Sequence, residues 1–212
     1  MCNPPFGKKS VEKRTEVLKG YDLGHKWLFN EKTKRWIKTE DLQEKQQLGV
    51  LFIERSFKLL PDFGRMAIIL PEGYLCTESY GYIRTWILEN LRIVSLIELP
   101  RRIFLKSDAD LRANILVAQK LPREELSLLK EYNYPIHTEI VRKVGYKMGK
   151  GFSIIPVRDL ETGEELRDEN NQVIVDTDFS GVKERFDAFV SRYKVWLFRP
   201  DYAEEYAARP QT

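Results

Sequence analysis

The sequence predicts an α/β fold in which helices cover the faces of a layered sheet, followed by a small β-rich and helical extension. Three observations predict it. Apolar residues recur at helical spacing from Gln47 onwards, and a short apolar run, Arg65–Leu70, has the length of a buried strand. A second helical segment and two further strand-length apolar runs then follow. Such alternation of helices and strands is typical of a sheet covered by helices.

The individual elements of this part follow from local patterns. The first helix starts at Gln47 and carries a wide apolar face, and Pro61 ends it. The strand that comes next is ended by Pro71, because proline cannot donate a backbone hydrogen bond. The remaining predicted elements are the helix Thr77–Leu91, with Ile83, Trp86, Ile87 and Leu91 facing inward, and the strands Ile93–Leu99 and Ala113–Gln119.

The chain changes in character beyond Lys120. Ile136–Val144 and Phe152–Val157 are predicted strands, and the glycine-rich segment Gly145–Gly151 is a predicted turn between them. Ser180 is a suitable cap for a final helix. The apolar residues of that helix share one face and are Val182, Phe186, Phe189, Val190 and Tyr193. We therefore divide the chain into residues 1–121 and 122–212.

Composition excludes several classes of protein. The hydrophobic fraction of 42% is enough for a core, which excludes a disordered chain. No apolar run approaches the roughly 18 residues that span a membrane, and the first 20 residues lack the apolar segment of a secretory signal. Two cysteines, Cys2 and Cys76, cannot build a disulfide framework and indicate a cytoplasmic protein. His25 and His137 have no ligand companions, so we expect no metal site.

Positive charge is concentrated in one segment. The net charge is only +3, yet residues 8–47 hold eleven Lys or Arg against seven Asp or Glu. The same segment carries Trp27, Phe29 and Trp36. A basic field with aromatic side chains suits contact with a polyanion. The alternative is a solvated, partly mobile loop, which charge alone favours.

The first residues form a distinctive motif, Asn3-Pro4-Pro5-Phe6. Two prolines fix two φ angles and push the preceding residues out of the helical region, which makes the loop stiff and extended. A rigid amide followed by an aromatic ring suits a flat polar ligand such as a nucleobase. Alternatively, Asn-Pro simply marks a turn.

An ordered series of segments further along the chain supports the interpretation that Asn3–Phe6 binds a nucleobase. Together with Asn3–Phe6, the series resembles the N6-adenine DNA methyltransferases, and most closely the modification subunit of type I restriction-modification systems. It covers roughly residues 1–150. The segments are Leu51–Leu60, Gly64–Gly73, Tyr82–Arg84, Ile97–Pro100 with Phe104, Asn114–Lys120 and Lys143–Tyr146.

The resemblance implies a fold and a mechanism. Residues 1–121 would be the C-terminal half of a Rossmann-like methyltransferase sheet, with 8–47 as a basic loop or insertion. The target adenine would be flipped out of the duplex. The Asn3 side-chain oxygen and the Pro4 carbonyl would accept hydrogen bonds from its amino group, and Phe6 would stack on the base, contributing about 1–3 kcal/mol. Asn3, Pro4, Pro5 and Phe6 are thus the predicted catalytic residues.

The cofactor that the resemblance implies is S-adenosylmethionine. In that family a glycine-rich cofactor loop lies upstream of the motif, whereas only Met1 and Cys2 precede Asn3 here. Gly145–Gly151 matches a phosphate-binding loop only loosely. We therefore expect this chain to be the C-terminal part of a larger enzyme, with its cofactor-binding residues upstream, and to be inactive alone.

The resemblance also implies partners. We expect double-stranded DNA, a specificity subunit and, where present, a restriction subunit, with Lys8, Lys9, Lys13 and Arg14 contacting backbone phosphates. The alternative is a non-catalytic binding or assembly fragment without a cofactor site, whose exposed strand edge is covered by self-association. An RNA methyltransferase is a third interpretation, but the downstream segments resemble the DNA enzymes better.

Overall fold

The computed structural model describes residues 1–7, 9–101, 103, 112–130, 134–148 and 151–194. Within these ranges no helix combines the length and apolar character that crossing a membrane requires. Short 3-10 turns lie at Asp22–Gly24 and Glu78–Tyr80. The helices and strands in chain order are β1 (Val11–Glu12), α1 (Thr15–Leu18), β2 (His25–Asn30), β3 (Arg35–Leu42), β4 (Gln46–Gln47), α2 (Leu48–Leu59), β5 (Arg65–Pro71), α3 (Glu72–Cys76), α4 (Gly81–Asn90), β6 (Arg92–Leu99), β7 (Ala113–Gln119), α5 (Arg123–Lys130), β8 (His137–Ile140), β9 (Tyr146–Met148), β10 (Phe152–Ile154) and α6 (Phe179–Tyr193).

A four-stranded mixed sheet with the order β5-β7-β6-β8 forms the centre of the structure. Strand β7 runs antiparallel to both β5 and β6, and β8 runs parallel to β6. The predicted α/β class is confirmed, and the three strands predicted before residue 121 are each found within one residue of the expected bounds. Because β8 joins this sheet, residues beyond 121 contribute to it, and the division at 121/122 stays a prediction.

Helices α2 and α4 cover one face of the sheet. Val50 and Ile53 of α2 are fully buried beside Trp86 of α4, which confirms the inward faces predicted for both helices. Helix α4, predicted to begin at Thr77, begins at Gly81. Thr77 has an extended backbone, which separates α3 from the turn that leads into α4.

Helix α6 packs on the other face, beside β8. The ring of His137 lies 5.3 Å from that of Phe186, and Arg185 forms an ion pair with Glu139. The prediction that Ser180 caps this helix is wrong, because the helix begins at Phe179. Asp178 precedes it, and its carboxylate accepts the main-chain N–H groups of residues 142 and 143 instead of those of the helix itself.

The basic segment contains a hairpin where a loop was predicted. Strands β2 and β3 pair antiparallel, and the inner face of the hairpin contacts α4. Trp36 packs so closely on Gly81 that a Cβ there would lie 2.2 Å from the indole nitrogen. On the outer face Leu28 pairs with Ile37, and both are exposed. Trp27 and Phe29 are two residues apart on β2, the spacing of one face of a strand, and Phe29 pairs with Trp36 on β3.

The second half of the chain differs most from expectation. Of the predicted strand 136–144, only residues 137–140 form a strand, β8. Strand β9 lies inside the predicted turn 145–151 and pairs with β10, which follows that turn. Helix α5 was not predicted. Only two of its residues, Leu126 and Leu129, are buried. Two such positions are too few to show a clear helical period in the sequence.

A buried carboxylate fixes the start of the hairpin against α2. Glu54 is only 1% exposed, and its two oxygens accept the main-chain N–H groups of Asp22 and Leu23 at 3.0 and 2.9 Å. Lys58, one turn along the same helix, supplies the countercharge at 2.7 Å. Because a buried charge is costly unless it is paired and hydrogen-bonded, this arrangement stabilises the junction only while all of its partners remain in place.

We therefore predict that Glu54→Ala lowers the free energy of unfolding by about 3 kcal/mol, since it leaves two main-chain donors unsatisfied and removes the ion-pair partner of Lys58. Urea denaturation followed by circular dichroism measures this change. Glu44→Ala, at an exposed position near the hairpin, is the control and should change the value by less than about 0.5 kcal/mol. Equal effects of the two substitutions would contradict the role assigned to Glu54.

Candidate functional site

The Asn3–Phe6 segment lies at the carboxyl end of the sheet. Cys2 runs beside β5 in parallel: its N–H donates to the Ala67 carbonyl at 2.8 Å, and its own carbonyl accepts the Ile69 N–H at 3.0 Å. The chain therefore reaches the end of β5 at Asn3. In open α/β sheets this is the edge at which ligands bind.

The four motif residues differ in exposure. Pro4 is buried, Phe6 is half-buried, and Asn3 and Pro5 are exposed. Phe6 packs against the apolar cluster that contains Ile69. Within the described residues, neither the Asn3 side-chain amide nor the Pro4 carbonyl has a hydrogen-bond partner. The loop thus places an exposed amide, and a main-chain carbonyl without a partner among the described residues, beside an anchored aromatic ring.

A tight turn follows the motif and is hydrogen-bonded to the start of α2. Gly7 has a φ of +118°, a conformation that glycine adopts without strain. Ser10 closes the turn by donating its main-chain N–H to the Gly7 carbonyl at 3.1 Å, and its hydroxyl to the Phe6 carbonyl at 3.4 Å. The Ser10 carbonyl then accepts the N–H of Leu48, the first residue of α2, at 2.9 Å. The loop is therefore held at both of its ends.

A tyrosine–glutamine cluster behind Phe6 was not found from the sequence. Tyr74 is 3% exposed and donates its hydroxyl to the Gln47 side-chain oxygen at 2.7 Å, while the Gln47 amide donates to the Tyr80 hydroxyl at 2.6 Å. Burial raises the pKa of Tyr74, so it remains protonated. A Cβ at Gly49 would lie 2.9 Å from the Tyr74 hydroxyl and 3.6 Å from the Phe6 ring. Tyr74 and Phe6 therefore lie together over the first turn of α2.

Charged groups line the same edge of the sheet. Glu72 follows β5 and Glu98 lies near the end of β6, and one nitrogen of Arg112 approaches both carboxylates, at 3.6 and 3.5 Å. These ion pairs are half-exposed, so each stabilises the fold only weakly. Cys76 donates its thiol to the Glu72 carbonyl. In the described part of the chain no group of three or more His, Cys, Asp or Glu side chains is placed to hold a metal ion.

The predicted phosphate contacts fall into three groups. Lys8 lies outside the described residues. Lys9 and Lys13 are exposed, and their amino groups have no ion-pair partner in the part that the structure describes. Arg14 is held by Glu12 through two contacts, of 2.9 and 2.7 Å. The hydrogen bond from this guanidinium is the main cause that lowers the pKa of Glu12 to about 2.

A family model described as N-6 DNA Methylase matches residues 1–135, which is more than half of the chain. The matched range includes the Asn3–Phe6 loop, the hairpin and all strands of the sheet up to β7. No curated protein matches the chain.

Several solved structures are similar to parts of the chain. One is described as a class I S-adenosylmethionine-dependent methyltransferase from Listeria monocytogenes; it is 18% identical, with a TM-score of 0.41 over 61% of this chain and 33% of that one. A modification subunit of a type I restriction enzyme from Vibrio vulnificus YJ016 is 15% identical, with a TM-score of 0.41 over 82% and 35%. A chain from a type I R-M system is 16% identical, with a TM-score of 0.46 over 99% and 36%. The chain spans about a third of each of these three structures.

The ion pair of Glu12 makes a pH-dependent contribution to stability. The pKa of its carboxyl group is lower in the folded chain than the ordinary value of 4.5, so the contribution is complete above pH 4.5 and is lost as the pH falls towards 2. We predict that Glu12→Gln lowers the free energy of unfolding at pH 6 and that its difference from the unsubstituted chain shrinks below pH 4.5. Denaturation at a series of pH values measures this, with Glu44→Gln as the control. A difference that stays constant down to pH 2 would contradict the assigned ion pair.

Proposed function

The chain belongs to the N-6 DNA methylase family, and on this premise we propose that it takes part in the transfer of a methyl group to the N6 atom of adenine in DNA. The proposal is carried by the loop at the carboxyl end of the sheet. There the exposed Asn3 amide and the Pro4 carbonyl both lack a hydrogen-bond partner within the described residues. Both offer an acceptor oxygen, and an amino group with two N–H donors is the complementary ligand.

The two acceptors have a chemical role in this reaction. The lone pair of the adenine amino nitrogen is normally delocalised into the ring. Hydrogen bonds from both N–H groups to the Asn3 side-chain oxygen and the Pro4 carbonyl would hold the nitrogen and concentrate its lone pair on the side facing the methyl donor. When bound, S-adenosylmethionine would supply an electrophilic methyl group to this nitrogen, with S-adenosylhomocysteine as the leaving group. One amino proton then leaves to solvent, so this chain contributes positioning and electrostatics.

Phe6 has a second role in the proposal. An adenine inside a duplex is out of reach, so the base must be flipped out before it can react. Phe6 is half-buried against the cluster of Ile69 and lies close to Tyr74 and Gly49, so its ring has a fixed support. A ring held in this way can stack on the flipped base and contribute about 1–3 kcal/mol. Pro5, which is exposed beside it, limits the freedom of the loop.

We further propose that S-adenosylmethionine binds to residues outside these 212. Around Asn3 the described residues contain no glycine-rich turn between a strand and a helix, and the nearby carboxylates of Glu72 and Glu98 both pair with Arg112. The outer edge of β5 pairs only with Cys2 among the described residues. That edge can accept further strands, which supports a continuation of the sheet towards the cofactor.

The partners proposed are double-stranded DNA and the specificity and restriction subunits of a type I restriction-modification system. Lys8, Lys9, Lys13 and Arg14 are proposed to contact backbone phosphates. Lys9 and Lys13 are the better placed, because the Arg14 guanidinium is already bound to Glu12. Self-association through the outer edge of β5 is the alternative, in which the chain serves as a non-catalytic assembly fragment.

The experiment that tests the catalytic role uses the chain within its assembled enzyme. We predict that Asn3→Ala lowers the rate of methyl transfer from labelled S-adenosylmethionine to DNA by about 10²- to 10³-fold, the usual cost of removing one preorganised hydrogen-bonding group. DNA binding and complex assembly should not change. Asn170→Ala, at an exposed position, is the control.

Three outcomes would contradict the proposal. They are an unchanged rate for Asn3→Ala, methyl groups found on a base other than adenine, and transfer to RNA in preference to DNA. The same assay on the 212 residues alone tests the prediction that they are inactive without their partners. Activity of the isolated chain would show that its cofactor site is complete.

The phosphate contacts are tested separately through the salt dependence of DNA binding. Each phosphate contact that is lost should reduce the slope of log K against log salt by about 0.9. We predict that Lys9→Ala with Lys13→Ala reduces the slope by about 1.8, whereas Lys147→Ala, at an exposed position on β9, leaves it unchanged. An unchanged slope in the double variant would place the DNA elsewhere.

A further inference from the structure

A second cleft lies at the opposite end of the sheet from the Asn3 loop. It has a volume of about 970 Å³ and is enclosed by the hairpin strand β3, the end of α4 and helix α5. Asn90 of its wall lies just before β6 begins, and Arg123 lies just after β7 ends. Asn3, in contrast, follows the direction of β5 towards its carboxyl end. The cleft is therefore separate from the proposed catalytic site, and its size is that of a site for a small organic ligand.

Uncompensated positive charge lines this cleft. Arg35 on β3 and Arg123 on α5 face it from two walls, and neither forms an ion pair within the described residues. Lys130 donates to the Glu89 carbonyl at 3.1 Å, and burial lowers its pKa. An anion bound beside these groups would relieve the cost of placing their charges together.

Two carboxylates also face the cleft, but they do not cancel its charge. Asp22 is already paired with Lys38 at 2.6 Å. Glu89 is the remaining acidic residue, against three remaining cations. The free charge is therefore positive, and guanidinium groups are the side chains best suited to bind phosphate through paired hydrogen bonds.

Three of the four tryptophans of the chain line the same cleft. Trp86 is 2% exposed and forms the floor, with its indole N–H directed at the Asp22 carboxylate at 3.4 Å. Trp27 donates to the Asp22 main-chain carbonyl at 3.1 Å, and Trp36 is fixed against Gly81. Trp27 and Trp36 are half-buried, so each keeps part of its ring exposed. Fixed aromatic surfaces beside cations suit a ligand that is flat at one end and strongly anionic at the other.

We propose that this cleft binds a nucleoside phosphate, either free or as one residue of a single strand. The base would lie against Trp27 or Trp36, and the phosphates would contact Arg35, Arg123 and Lys130. An acidic protein segment satisfies the charges but makes no use of the accessible indoles of Trp27 and Trp36, so the nucleoside phosphate is the better match. The proposal does not depend on methyl transfer, because neither the Asn3 loop nor a methyl donor takes part.

Calorimetric titration of the 212-residue chain tests the proposal, with ATP and an oligothymidylate as the two sources of the ligand. Binding of ATP but not of the oligothymidylate would indicate that the ligand is a free nucleotide. Tighter binding of the oligothymidylate than of ATP would indicate that the ligand is a single strand. In either case Arg35→Ala and Arg123→Ala should each weaken binding about tenfold, the usual effect of losing one charge-assisted hydrogen bond. Arg55→Ala, at an exposed position on α2, should leave it unchanged. Thermal melting of each variant shows that it is folded.

Three further probes separate the base from the phosphates. Adenosine and inorganic tripolyphosphate should each bind more weakly than ATP, because each fills only part of the cleft. Tripolyphosphate binding as tightly as ATP would overturn the proposal, since the cleft would then be a plain anion site. Tighter binding of a polyglutamate peptide than of ATP or the oligothymidylate would also overturn the proposal, because it would indicate a docking surface for an acidic protein. Absence of binding by all of the probes would overturn it as well.

Discussion

The hydrogen bonds that β7 makes along both of its edges hold the rest of the structure in place. On one edge Ala113–Gln119 pairs with the seven residues of β5, and on the other it pairs with β6 across a bulge. Because β7 is antiparallel to both neighbours, β5 and β6 point in the same direction. Their carboxyl ends therefore meet at one edge of the sheet, and the pairing of Cys2 with β5 brings Asn3 to that edge.

Two properties of the Asn3 loop complement each other. Its backbone is constrained by two prolines, by the turn at Gly7 and by the bond from Ser10 to the first residue of α2. The exposed Asn3 amide and the carbonyl of the buried Pro4 remain without hydrogen-bond partners among the described residues. A site of this kind loses little conformational entropy when it binds a ligand, because the loop is already ordered. The tyrosine–glutamine cluster adds to this order, because the buried Tyr74 lies beside Phe6 over the first turn of α2.

Much of the sheet could be predicted from the sequence, because buried strands such as β5 are continuous apolar runs between clear breaks. The hairpin β2–β3 was missed, because its many exposed charges obscured the strand spacing of Trp27 and Phe29, and β3 has only one aromatic residue, Trp36. The contact of Tyr74 with Gln47 joins residues 27 positions apart, so no local pattern reports it. The resemblance read from ordered motifs agrees with the family that matches residues 1–135, whereas the roles of the individual site residues stay predictions.

The strand order also has a consequence for how the chain folds. β5 and β6 are consecutive strands of the sheet in the sequence, yet they are not neighbours in space, because β7 lies between them. Neither can complete its hydrogen bonding until residue 119, the end of β7, is available. During synthesis, therefore, two apolar strands with open edges precede the strand that joins them, and an intermediate at this stage is exposed to misassociation. The long sequence separation between β5 and β7 also places this sheet among the slower-folding topologies.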